Sequence, residues 1–168
     1  MSPTDKISEP ALREAALRYL DRQDGSVEQV RRSLKRRIAK YGEPSEQPEA
    51  WAAAERVLDR LQEAGLLDDA RFARGFAAGQ RRRGASGALL RQKMRQRGLS
   101  SELIDRALEE TLQQDELSDD TSAVVYARKR RLTERYDLSD PLQRNKALAA
   151  LARRGFGFDV AKRALGLS

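Results

Sequence analysis

The chain's chemistry lies in its cations. Arg81-Arg82-Arg83 is followed by Arg91, Lys93, Arg95 and Arg97 with no acidic residue in the whole stretch. Such a run suits the oxygens of phosphates or carboxylates, which arginine can grip with two parallel N–H groups. A second set, Arg31, Arg32, Lys35, Arg36, Arg37 and Lys40, fills the polar circumference of one predicted helix. A third block, Arg128, Lys129, Arg130 and Arg131, follows the acidic run from Asp115 to Asp120, and Arg153 with Arg154 lies further on. The third block is expected to pair with those acids, but exposed pairs contribute only ~0–1 kcal/mol and would not bar a competing partner. A formal net charge of +7 and a pI near 10.0 draw the chain toward nucleic acid, an acidic protein surface or anionic lipid without choosing among them.

There is no cysteine and no histidine, so disulfides, Cys/His zinc sites, thiol nucleophiles and imidazole bases are excluded. No phosphate-binding loop of the G-x-x-x-x-G-K-[ST] type is present. Gly84-Ala85-Ser86-Gly87 resembles the GxxG loop of KH domains, but the strands that fold requires are missing, and a helix-joining turn is the better reading. Asp68-Asp69 and the Asp115–Asp120 run offer carboxylates without a closed coordination set, so neither metal, cofactor nor catalysis is expected. Trp51, Phe72, Phe76 and Phe156 sit at predicted core positions rather than as stacking platforms. The segment Met1 to Pro10 is polar and no later run approaches the ~20 apolar residues of a membrane span, so a cytoplasmic protein is expected.

These cations must be positioned by helices. Leu12, Ala15, Ala16, Tyr19 and Leu20 recur at helical spacing; Ser26 is a suitable N-cap for a second helix with Val27, Val30, Leu34, Ile38 and Tyr41 in one apolar line. A loop over Glu43 to Pro48 precedes a third helix marked by Trp51, Ala54, Val57, Leu58 and Leu61. Gly65 suits the left-handed residue after that helix, Leu66 and Leu67 suit apolar contacts across the turn, and Asp68 or Asp69 suits the next N-cap. Phe72 and Phe76 anchor the fourth helix, Leu90 and Met94 the fifth, and Leu103, Ile104, Ala107, Leu108 and Thr111 the sixth, capped by Ser100 or Ser101. Val124, Val125, Leu132 and Tyr136 are assigned to one seventh helix, Asp140-Pro141 opens an eighth, and Phe158 to Leu165 forms a ninth.

The pattern repeats. At an offset of sixty positions Ser26, Val30, Arg31, Leu34 and Arg37 fall on Ser86, Leu90, Arg91, Met94 and Arg97. At fifty-seven, Arg97-Gly98-Leu99, Leu103 and Arg106-Ala107-Leu108 fall on Arg154-Gly155-Phe156, Val160 and Arg163-Ala164-Leu165. With 35% charged and only 5% aromatic residues, a thick single globule is disfavoured against a row of small units with thin apolar stripes. The expected fold is all-α: three tandem three-helix repeats over residues 1–67, 68–115 and 116–168 in an elongated, curved arrangement.

Gly65-Leu66-Leu67-Asp68-Asp69 through Arg71-Phe72-Ala73, the helix from Ser26 with Val30 and Leu34, and Leu90-Arg91 to Arg97-Gly98-Leu99 resemble the RecX family of bacterial recombination regulators. The chain departs from that family's usual pattern at Gln29, where a glutamate is common, and in the lengthened Glu43–Pro48 loop. The resemblance implies a non-enzymatic, cytoplasmic protein active in DNA repair and the SOS response. It would bind the RecA filament on DNA, lie in its groove and inhibit its ATPase, strand-exchange and coprotease activities. A monomer with weak non-specific binding to single- or double-stranded DNA is expected. The alternative is a basic all-helical DNA-binding protein acting independently of RecA. Replacing Arg81, Arg82 and Arg83 with alanine should separate the two.

Overall fold

The computed structural model describes residues 4–42, 46–113 and 118–167. Residues 43–45 of the expected loop, and Asp115-Glu116-Leu117 with the expected repeat boundary at 115/116, lie outside the described residues. All regular structure among the described residues is helical, in accord with the all-α expectation. The chain forms two compact units, Met1–Phe72 with Arg97–Leu99, and Ala73–Gln96 with Ser100–Ser168.

In the first unit a 3₁₀ turn (Thr4–Ile7) leads into α1 (Glu9–Arg22), α2 (Val27–Ile38) and α3 (Pro48–Glu63). Val27, Val30, Leu34 and Ile38 recur every three or four residues along α2 and are all buried, packing with Leu12 and Ala16 of α1 and with Ala53, Ala54, Val57, Leu58 and Leu61 of α3. Each large aliphatic side chain so buried contributes ~1.5–3 kcal/mol, and the alanines let α3 approach closely. Helix α3 ends in a Schellman turn: Gly65 takes φ +69, its N–H reaches the Gln62 carbonyl at 2.9 Å, and the Leu66 N–H reaches the Leu61 carbonyl at 2.9 Å. Leu67 is buried, but Leu66 is 49% exposed, so only one of the two leucines makes the expected contact.

Helix α4 (Asp69–Arg81) follows, then α5 (Gly87–Gln96) and α6 (Ser101–Leu112), the last capped by Ser100, whose Oγ accepts the Leu103 N–H at 3.3 Å. Leu90 and Met94 of α5, and Ile104, Ala107, Leu108 and Thr111 of α6, are buried at the expected positions. The last part of the chain corrects the sequence reading. The expected seventh helix is two pieces, α7 (Asp119–Lys129) and the short α8 (Leu132–Arg135), separated at Arg131, which takes the left-handed φ of 50. The buried face of α7 is Ser122, Ala123 and Ala127, while Val124 is 40% exposed. A continuous helix would carry Leu132 about 140° away from Ala127 around the axis and turn Arg130 and Glu134 inward. Breaking at Arg131 returns Leu132 to the core with Ala147, Leu151, Phe156, Ala161 and Leu165 of the segment formed by α9 (Pro141–Arg153) and α10 (Phe158–Ala164).

Candidate functional site

The cationic helices are held by two matching hydrogen-bond seams. Ser26 is fully buried; its Oγ accepts the Gln29 N–H at 3.2 Å and donates to the Arg97 carbonyl. Gln29 Oε1 in turn accepts the Ser26 N–H at 3.1 Å, so the departure from the family pattern at this position keeps a complete capping box. The Val27 N–H, next in line at the start of α2, donates to Asp69 Oδ1 at 2.8 Å. Asp68 caps α4, accepting the Arg71 N–H at 2.9 Å, which leaves Asp69 free for α2. The two adjacent aspartates therefore serve two different helices.

The second seam repeats the first within the other unit. Ser86, also fully buried, accepts the Leu89 N–H at 3.1 Å and donates to the Arg154 carbonyl at 2.7 Å. The Gly87 N–H donates to Asp119 Oδ1 at 3.0 Å. Here Arg81 is added: its side chain is only 2% exposed, Nη1 pairs with Asp119, and the Ser122 hydroxyl donates to the Arg81 carbonyl at 3.2 Å. Burial of the guanidinium lowers its affinity for the proton, though it stays cationic at neutral pH. Arg81 is thus an internal tie of α4 to the start of α7. That corrects its reading as a surface contact beside Arg82 and Arg83.

The remaining candidates divide by what neutralises them. On α2, Arg31 pairs with Glu28 at 2.8 Å and Glu55 at 2.9 Å, and Arg32 pairs with Glu28 at 2.9 Å. The hydrogen bonds that Arg31 donates to Glu55 and then to Glu28 raise its proton affinity, and Arg31 foremost holds the Glu28 carboxyl below its ordinary range. Lys35 lies 5.2 Å over the Trp51 ring, while Arg36 is exposed. In the middle stretch Arg91 pairs with Asp105 and Lys93 donates to Gln80 at 3.1 Å. The absence of acids between residues 81 and 97 therefore did not mean absence of neutralisation, because the acids arrive from α6 and α7. Arg82, Arg83 and Arg95 are exposed and make no ion pair among the described residues, and Arg97, half-buried, has its backbone carbonyl fixed by Ser26.

The third block does not pair with the described part of the acidic run: Asp119 goes to Arg81, and Asp120 to Arg163 at 2.7 Å. Asp115 and Glu116 lie outside the described residues. Arg128 and Arg153 are exposed, Arg131 meets Glu134 only at 3.8 Å, and Arg130 and Arg154 lie 5.9 and 5.2 Å from the Tyr126 ring centroid. Among the rings, Phe72 and Phe156 are buried and Trp51 and Phe76 half-buried, whereas Phe158, not singled out in the sequence, is 66% exposed. Among the described residues no group of three or more acids could hold a metal ion, and no helix is long and apolar enough to cross a membrane. Sequence reasoning missed Ser86, Asp119 and Gly155 as seam residues. The signal was present in the offsets that align Ser26 with Ser86 and Arg97-Gly98 with Arg154-Gly155.

Comparison with known proteins agrees with this architecture. Residues 68–108 match the model of the RecX second three-helix domain, and residues 119–165 that of the third. The regulatory protein RecX of Myxococcus xanthus is 33% identical over 166 residues, covering 95% of this chain and 87% of that protein. Its counterpart from Halorhodospira halophila is 34% identical over 168 residues, covering 98% and 91%. A crystal structure of regulatory protein RecX superposes with a TM-score of 0.69 at 23% identity, over 94% of this chain and 71% of that one, a likeness of fold. With the three-helix domains matched in order and relatives aligned along nearly its whole length, the chain belongs to the RecX family of regulatory proteins.

Proposed function

We propose that this protein binds the RecA filament on DNA and inhibits its ATPase, strand-exchange and coprotease activities. The observation that supports this reading, beside family membership, is the set of exposed arginines that no described carboxylate neutralises, Arg82, Arg83, Arg95 and Arg128. Arg95 and Arg128 sit on α5 and α7, and Arg82 and Arg83 in the turn that directly follows the buried Arg81 at the end of α4, so the charges are carried by elements that buried hydrogen bonds hold in place. Three-helix repeats over 1–67, 68–115 and 116–168 would present several such patches at once, and simultaneous weak contacts with successive filament subunits add up to tight binding. In this reading the protein is a cytoplasmic monomer in DNA repair and has no catalytic step.

The test is RecA's single-stranded-DNA-dependent ATP hydrolysis with the protein titrated in, beside binding to the same DNA without RecA. Inhibition at concentrations too low to coat the DNA supports the filament as target. Arg82→Ala with Arg83→Ala should weaken inhibition about ten-fold, as expected for losing two charged contacts; unchanged inhibition removes this patch from the interface. Arg81 is left intact because its loss would act through folding. The second reading, DNA binding independent of RecA, draws on the same uncompensated cations. It is favoured if DNA is bound tightly and hydrolysis is not inhibited.

A further inference from the structure

The basic circumference of α2 has two sides of opposite character. On the side toward α3 the cations are answered: Arg31 and Arg32 by Glu28 and Glu55, with Arg56 and Arg60 of α3 answered by Glu9. On the side toward α1 lies a cleft of about 400 Å³ whose charged lining is Arg18, Arg22, Arg36, Arg37 and Lys40, with the hydroxyls of Ser33 and Tyr41. Among the described residues no carboxylate lines it, and of its cations only Arg18 has an acidic partner there, Glu14 at 2.8 Å.

Two of these arginines are held in place by neutral acceptors. Arg22 donates from Nε to the Arg18 carbonyl at 3.1 Å, and Arg37 from Nε to the Lys6 carbonyl at 3.0 Å. Each thereby loses rotamer freedom without losing charge, and its terminal nitrogens remain for a ligand. A helix C-terminus attracts cations, each by ~0.3–1 kcal/mol, and that accounts for Arg36 and Arg37 in the last turn of α2. The same effect covers Arg22 in the last turn of α1, but neither Arg18, a turn earlier, nor the convergence of cations from both helices on one cleft. Cations gathered without counter-charge repel one another, a cost that an anion removes.

From this geometry we infer that the α1–α2 cleft is a phosphate-binding site that takes the backbone of single-stranded nucleic acid. Apart from Ala15 its lining is arginine, lysine, serine and tyrosine, the donor set that contacts phosphate oxygens. An acidic peptide would instead be expected to add an apolar anchor, which this polar lining does not offer. The cleft contains none of Arg82, Arg83, Arg95 and Arg128, on which the filament reading rests, and its test contains no RecA, so its failure leaves the filament reading standing.

The experiment is fluorescence anisotropy of a labelled oligothymidine with the whole protein across a salt series. It compares the wild type, Arg22→Ala/Arg36→Ala/Lys40→Ala, and a control removing equal charge from exposed positions outside the cleft, Arg13→Ala/Arg56→Ala/Arg60→Ala. The cleft variant should bind at least about ten-fold more weakly, and the slope of log affinity against log salt should fall by ~2, three phosphates at ~0.7 each. The control should change affinity less than about two-fold. Equal losses in both variants, or no oligonucleotide binding by the wild type, would overturn the site. So would pyrophosphate binding without oligonucleotide binding, which marks a small-anion site, or loss in the cleft variant of polyglutamate binding alone.

Discussion

The two seams share one frame and differ in one residue. In each, a fully buried serine donates to a carbonyl just before a glycine, Arg97-Gly98 or Arg154-Gly155, and an aspartate accepts the first N–H of the following helix, Asp69 for Val27 or Asp119 for Gly87. Only the second contains a buried cation. The position sixty residues before Arg81 is Asp21, which is exposed, so the first seam relies on hydrogen bonds and the capping box of Gln29. Repetition has thus conserved the backbone connection while leaving the electrostatics to diverge. A basic residue can be absorbed into such a seam and cease to be surface.

If the ion pair is what distinguishes the second seam, Arg81→Met should give the largest effect. It leaves Asp119, 34% exposed, without its counter-charge, at a cost of ~2–4 kcal/mol in urea unfolding. Adding Asp119→Asn should recover at least about 1 kcal/mol, because the amide still accepts the Gly87 N–H and no charge is stranded. No recovery would mean that Arg81 acts by packing, since its Nε has no hydrogen-bond partner and gains nothing from the seam. A Arg81→Ala/Arg82→Ala/Arg83→Ala variant would therefore mix loss of contact with loss of fold.

The glycines test the shared frame. A Cβ on Gly155 would lie 2.5 Å from the Ser86 Oγ, and one on Gly98 would lie 2.4 Å from Cβ of Glu28, both with positive φ. Alanine at either should cost ~2 kcal/mol, the larger loss at Gly155, where the buried Ser86 cannot yield without surrendering its hydrogen bond to Arg154. Smaller and equal losses, ~1–2 kcal/mol each, are expected for Ser26→Ala and Ser86→Ala. Unequal losses would show that the ion pair already bears part of what Ser86 does.

How much of this was legible follows from its range along the chain. Val30, Leu34 and Ile38, the caps Ser100 and Asp140, and the left-handed Gly65 are local patterns, and the sequence shows them directly. The fate of Arg81 was not legible, because its partner lies 38 positions on and the intervening composition argued for a bare cationic run. The break at Arg131 was hidden for another reason: the spacing from Val125 to Leu132 fits one helix, and only the identity of the buried face, Ala123 and Ala127, rules it out. Surface cations report their number in sequence but not their neighbours, and the candidate site depends on the neighbours.

The smallest expected effect is the sharpest contrast between the seams. Burial, and then Asp68 close by, raise the Asp69 carboxyl above its ordinary range, against the opposing pull of the Val27 N–H and of Arg31. The folded chain therefore binds this proton more tightly than the unfolded chain. Its contribution to stability is fully present below the ordinary carboxyl pKa of 3.8 and is lost as pH rises through the folded value. At neutral pH the charged Asp69 is a small burden, so Asp69→Asn, which keeps an acceptor for Val27, should leave stability within about 0.5 kcal/mol or raise it slightly. That advantage should shrink as the pH is lowered toward 4, because the wild type can then relieve itself by protonation. Asp119→Asn alone should do the reverse at pH 7, destabilising by stranding Arg81 in a site without a counter-charge. Urea midpoints for both variants at pH 7 and pH 4 decide the matter: a loss above about 1 kcal/mol for Asp69→Asn at pH 7 would mean that the first seam, too, depends on its charge.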